Sequence, residues 1–222
     1  MTSRRNEASA PQPPRIPGEL QHLTIAALEH DHVHAEAVLT DLDLSGQHVN
    51  GVELREIRLT KVDLAGAQLD QLKLTDAELV GCDLSNVQGQ GVQATRVTLE
   101  SSGATGLALP QAEMRDLNFR GSRLDLSSFA FSDLAHVTFE DCLMTEMSFL
   151  DAQLESVRFH GCDLTRADFR GARLQRCEFR HTNLAEIEGV DRLSGAAIDS
   201  AGIVAMADVW AAALGISVLD AD

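Results

Sequence analysis

From Leu39 to Leu184 the chain counts in fives. Thirty positions fall in one unbroken phase, and seventeen of them are Leu and seven Phe. Val49, Met114 and Met144 keep the pattern apolar, and only Gly89, Ala94 and Ala104 weaken it. Two places before each site stands a small residue, as in Cys162, Ala167, Ala172, Cys177 and Thr182. A helix cannot produce this count, because five residues advance 140° and scatter the leucines around the cylinder. A straight strand fails too, since an odd step sends successive side chains to opposite faces. The conflict disappears if the chain turns a corner within each five. Residues i and i−2 then point inward, and i−1, i+1 and i+2 face outward or form the turn. So persistent a period marks a repeat architecture, here an all-β solenoid.

The number of faces follows from the phenylalanines. Between Phe119 and Phe179 a Phe recurs every ten residues. Four faces per coil, twenty residues, stack these rings on two opposite walls. Phe119, Phe139, Phe159 and Phe179 form one core ladder, and Phe129, Phe149 and Phe169 the facing one. The segments CDLTR, ADFRG, VDLAG and CDLSN fit the pattern Ala-(Asp/Asn)-(Leu/Phe)-X-X, and over residues 35–188 the chain resembles the pentapeptide-repeat family. The resemblance implies a right-handed quadrilateral β-helix, of about 7–8 coils here, and no catalysis. Some members that resist quinolone drugs present a DNA-like rod to type II topoisomerases such as DNA gyrase, and form dimers through the C-terminal end. It thus implies a non-enzymatic interaction module, a DNA mimic, with a purely structural scaffold or spacer as the alternative.

Outside the repeats, residues 1–18 hold four of the five prolines and no apolar run, and read as a disordered tail. Without a signal-like or membrane-spanning segment, the expected location is cytoplasmic. Residues 19–34 should cap the first coil as a short helix or strand. They hold His22, His30, His32 and His34, but an HxHxH run without a placed fourth ligand is a weak zinc signal, and no metal or cofactor is expected. Residues 189–222 should form a helical cap with Ile203, Met206, Trp210 and Leu214 on its inner stripe. Asp199 or Ser200 would be its N-cap. A homodimer through this helix is expected, with Val204 and Val209 on its flank. Residues 85–118 should continue the coils with a thinner core.

The net charge of −16 argues against direct nucleic-acid binding. Acids dominate the front, where residues 19–90 carry 13 acids and four bases. Asp43, Asp63 and Asp83 fall on one face, one coil apart, as an acidic row. Six arginines between Arg158 and Arg180 make the back mixed. Leu126, Phe131, Leu143 and Leu150 break the rule of polar outward sites and form a candidate contact patch. Cys82, Cys142, Cys162 and Cys177 all occupy the small inward site and should be free, buried thiols. No catalytic constellation is present in the sequence.

Overall fold

The computed structural model describes residues 8–218. Every strand pairing inside the repeats is parallel with a register of twenty residues. Leu39 pairs with Leu59, Leu59 with Leu79, and so on through Leu99, Phe119, Phe139, Phe159 and Phe179. The four-faced coil read from the phenylalanines is therefore the coil of the structure. The faces are named here by their central residues: face 1 holds Phe139, face 2 Met144, face 3 Phe149 and face 4 Leu154. The solenoid completes about nine turns, slightly more than expected, because both ends add partial turns. Gln21–His22 stacks on Ala37–Val38, and Ala197–Ile198 on Glu178–Phe179.

The corners have one conformation throughout. Every fifth residue from Asp31 to Glu186 is left-handed, with φ between 50° and 72°. This lets the chain turn a right angle while neighbouring residues stay extended. An L-residue reaches this region at a cost of ~1–2 kcal/mol, and a branched Cβ makes it worse. Val, Ile and Thr are accordingly absent from these positions, which favour Gly, Asp and Glu. Inside, the i−2 sites hold small groups that answer backbone carbonyls. Ser127 Oγ donates to the Ala104 carbonyl at 2.7 Å, Thr182 Oγ1 to Phe159 at 2.9 Å and Cys162 Sγ to Phe139 at 3.4 Å.

The core ladders are as expected. The rings of Phe129, Phe139, Phe149, Phe159, Phe169 and Phe179 are fully buried. Phe139 and Phe159 stack at 5.2 Å with planes 5° apart, and Phe149 meets Phe159 edge-on at 5.7 Å and 79°. Such pairs contribute about 0.5–1.5 kcal/mol each beyond the area they bury. Residues 85–118 continue the coils without a loop, since Gln93–Glu100 pairs with both Lys73–Val80 and Glu113–Arg120.

Two expectations at the ends need correction. Of residues 1–18, those from 8 onward are not a free tail: they lie along the rod, with Ala8 buried and the Arg15 N–H donating to Asp76 at 2.9 Å. The proline content that suggested disorder also favours a stiff extended strand, and the rod supplies partners for it. At the front the cap takes the strand alternative, as a two-residue strand, with Leu28 buried on the first coil and Leu23 and Ile25 packed beside it. At the back the helix is broken into α1 (Ser200–Ala205) and α2 (Ala207–Ala213), with Met206 between them. The buried stripe runs through Gly202, Met206, Val209 and Trp210, rotated from the one expected, and Leu214 lies past the end of α2. Met206 is buried and Trp210 partly buried, but Ile203 and Leu214 are 45% and 74% exposed. On the flank, Val204 is exposed while Val209 packs toward the core. Asp199 is the N-cap, accepting from the Gly202 N–H at 2.7 Å, and it also accepts from His181 N–H at 2.6 Å, tying the cap to the last coil.

Candidate interaction surfaces

Sorting the outward residues by face separates the charges. Face 2 carries Asp43, Asp63, Asp83, Asp125 and Asp163 against a single base, Arg123. Asp43, Asp63 and Asp83 are bridged one above another, as their twenty-residue spacing requires. Each is held by its own turn: Oδ1 accepts the backbone N–H two residues on, from Ser45 at 3.0 Å, Ala65 at 2.8 Å and Ser85 at 2.8 Å. Asp43 also takes the Ser45 hydroxyl at 2.7 Å, and these two bonds hold its carboxyl below the usual carboxylate range. Among the described residues none of the three makes an ion pair. One oxygen of each fixes the turn, and the charge remains for solvent or a partner.

Several other acids are paired with arginines within the rod. On face 1, Arg58 meets Glu78 at 2.7 Å and Arg120 meets Glu140 at 3.3 Å, each one coil away. The arginine-rich back follows the same rule. Arg166 pairs with Glu146, Arg176 with Glu155 and Arg180 with Glu178, and Arg170 reaches both Asp168 and Glu188 at 2.9 Å. Exposed pairs of this kind add little stability. Their effect is to cancel charge locally, whereas the front of face 2 keeps three acids stacked one coil apart with no paired base among the described residues.

The apolar candidates lie beyond that row. Leu126 and Phe131 are corner residues, each with φ 60°, and are 59% and 54% exposed. Bulky side chains in a left-handed corner are costly before their exposure is considered. Leu143 is 42% exposed on face 2, one coil above Arg123. Leu150 is half-buried on face 3, and its carbonyl accepts the Phe131 N–H. Between the two corners the outward residues of face 3 are uncharged over four coils: Gln88, Gln90, Ala108, Pro110, Ser128, Ala130, Ser148 and Leu150. The structure thus brings the four apolar residues onto one side, separated from the acidic row on face 2 by Gly103 and Arg123.

Of the four histidines in residues 19–34, His32 and His34 approach each other, with ring centroids 4.6 Å apart. His30 accepts the Asn50 N–H at 3.1 Å, while His34 is buried in the central site of the first partial coil, where burial lowers its pKa. No group of three or more His, Cys, Asp or Glu among the described residues is placed to hold a metal ion. The four thiols are free and buried. Burial pushes Cys177 up to about 11 and raises Cys82, so neither is a nucleophile near neutral pH. Among the described residues no helix is long and apolar enough to cross a membrane. Sequence reading missed the ordered strand of residues 8–17, whose signal was proline at 11, 14 and 17.

Comparison with known proteins agrees with the fold. A family model described as a pentapeptide repeat region matches residues 124–188, and a second, pentapeptide repeats in eight copies, matches residues 37–76. No curated protein is similar enough to match this chain. Among solved structures, full-length QnrB1, a plasmid-mediated fluoroquinolone resistance protein, is 15% identical with a TM-score of 0.42, covering 83% of this chain and 100% of its own. HetL, a pentapeptide repeat protein involved in heterocyst differentiation regulation in the cyanobacterium Nostoc sp. strain PCC 7120, is 18% identical with a TM-score of 0.31, covering 75% and 89%. A thylakoid-lumen protein of Arabidopsis thaliana is 18% identical with a TM-score of 0.23, covering 61% and 67%.

Proposed function

We propose, on the premise that the chain belongs to the pentapeptide-repeat family, that it is a non-catalytic docking rod for a protein with a basic surface. Interaction is the general role of this fold. The finer reading is DNA mimicry toward a DNA-handling enzyme, and the family resemblance makes a type II topoisomerase such as DNA gyrase the partner to test. One observation carries the reading: Asp43, Asp63 and Asp83 stand one above another on face 2, oriented by their turns and in no ion pair among the described residues, whereas Glu78, Glu140 and Glu146 are each answered by an arginine one coil away. Their spacing of ~4.8 Å compares with ~3.4 Å per charge along one DNA strand, giving about 0.7 of its linear charge density. Leu126 and Leu143 beyond the row supply apolar contact that a phosphate backbone would not.

The experiment is gyrase supercoiling with the wild type and the Asp43→Asn, Asp63→Asn, Asp83→Asn triple variant, across a salt series. Asn retains the oxygen that accepts the turn N–H, so the fold should persist. Expected are inhibition by the wild type, weaker inhibition by the variant, and loss as salt rises, because exposed charges are screened within ~10 Å at 0.1 M. If the wild type leaves supercoiling untouched at high micromolar concentration, gyrase mimicry is wrong and a scaffold or spacer takes its place.

A further inference from the structure

Residues 8–17 meet the rod at every third position. Ala8 is buried, and Pro11, Pro14 and Pro17 are half-buried, with Ile16 beside the last. Ser9, Ala10, Gln12, Pro13 and Arg15 face solvent. A period of three is that of polyproline II, which rises ~3.1 Å per residue and so ~9.3 Å per turn. Two coils of the solenoid rise ~9.6 Å. The two repeats are therefore commensurate, and the hydrogen bonds use the match. The Arg15 N–H donates to Asp76 Oδ1 at 2.9 Å, and the Gln12 N–H donates to Asp116 Oδ1 at 3.0 Å. Three residues of strand correspond to forty residues, two coils, of rod. Arg158, about two coils further on, donates to the Ala8 carbonyl.

The chemistry on both sides is selective. Proline has no N–H, and here Pro11, Pro13 and Pro14 flank the two donors without leaving one unused. On the rod, Asp76 and Asp116 are each only 6% exposed, sitting at left-handed corners beneath the strand. Arg96, on the coil between them, grips Asp76 with Nε and Nη2, both at 2.6 Å. The corner is thus a pre-set row of acceptors whose spacing suits a chain already stiff in this conformation, which limits the entropy lost on docking.

We propose that the corner row of Asp76, Arg96 and Asp116, ending at Arg158, is a binding site for extended peptides with proline at every third residue, and that the N-terminal segment is its resident ligand. Recognition is through backbone N–H groups read at two-coil intervals, with the prolines lying beside the outward residues of face 1, Thr98 and Asn118 among them. A tether of this length holds the resident segment at millimolar effective concentration, so a competing segment binds well only when the resident one is loosened.

The test keeps the full chain. A fluorescent peptide of residues 8–18 is titrated by anisotropy against the wild type and against the Pro11→Gly, Pro14→Gly variant, whose resident segment has lost its stiffness. Saturable binding to the variant is expected, at least about tenfold tighter than to the wild type, where the tethered segment competes. Adding Asp116→Ala should abolish it, and a scrambled peptide without the three-residue proline spacing should bind far more weakly. If Asp116→Ala disturbs the far-UV spectrum, Arg158→Ala at the other end of the row provides the same loss. No binding to the variant, equal binding to variant and wild type, or indifference to the corner substitution and to scrambling would overturn the proposal.

Discussion

The coils before and after residue 118 share one backbone frame and have different interiors. Behind it, aromatic rings stack in two ladders and meet edge-on across the core, all but sealed from solvent. Ahead of it, leucines fill the same sites less completely, and at Gly89 and Ala94 the filling nearly stops. A narrow apolar cavity of about 90 Å³ runs through this front interior, lined among others by Leu69, Leu84, Val92, Ala94, Leu109 and Met114. The pairing register never changes across the boundary. The frame is therefore set by the left-handed corners and the small inward sites, and the central residue governs how tightly it is packed. At Gly89 the frame even narrows, since a Cβ there would lie 2.7 Å from the Leu69 carbonyl oxygen and 2.8 Å from Val92 Cγ2.

The largest expected effect distinguishes the two interiors directly. Phe139→Ala removes a ring stacked on both sides, and should cost about 3–5 kcal/mol in denaturant unfolding, as for a core aromatic. Leu79→Ala, at the equivalent site of face 1 beside the existing cavity, should fall near the low end of the ~2–5 kcal/mol range for buried leucine. Equal costs would remove the distinction. A smaller effect of opposite sign is expected from Ala94→Leu, which restores the missing central residue between Leu74 and Met114. At ~24 cal/mol per Å³ of cavity, complete filling would gain at most about 2 kcal/mol. Destabilisation by this substitution would mean that the front coils are narrowed throughout and cannot accept a larger side chain.

The same contrast explains what could be read from the sequence. The five-residue phase, the four faces, the Phe ladders and the acidic row all arise from local spacing repeated many times, and local spacing is written in the chain. Continuity through residues 85–118 was legible because the phase is intact on both sides. The cap was legible in its N-cap, Asp199, and its buried Met206. It was not legible in Ile203 and Leu214, because the buried stripe runs through Gly202, Met206, Val209 and Trp210, which leaves Ile203 at its edge and Leu214 past the end of α2. The docked N-terminal strand was hidden for another reason. Its ordering depends on carboxylates at Asp76 and Asp116, far along the chain, and proline by itself signals only an extended strand. The neutralisation of the back arginines was likewise invisible until the coils placed Glu146 under Arg166 and Glu155 near Arg176.

Native-state amide hydrogen exchange tests the central claim most directly, namely that one corner-defined frame carries a loose front and a tight back. The strands Gln93–Glu100 and Asp133–Glu140 are equal in length, lie on the same two faces and differ by two coils. Their hydrogen bonding is equivalent, so protection should differ only through the packing beneath them. The account predicts that residues 93–100 exchange at least about tenfold faster, a difference of ~1.4 kcal/mol in local opening free energy. Equal protection, or faster exchange over the phenylalanine ladders, would contradict it.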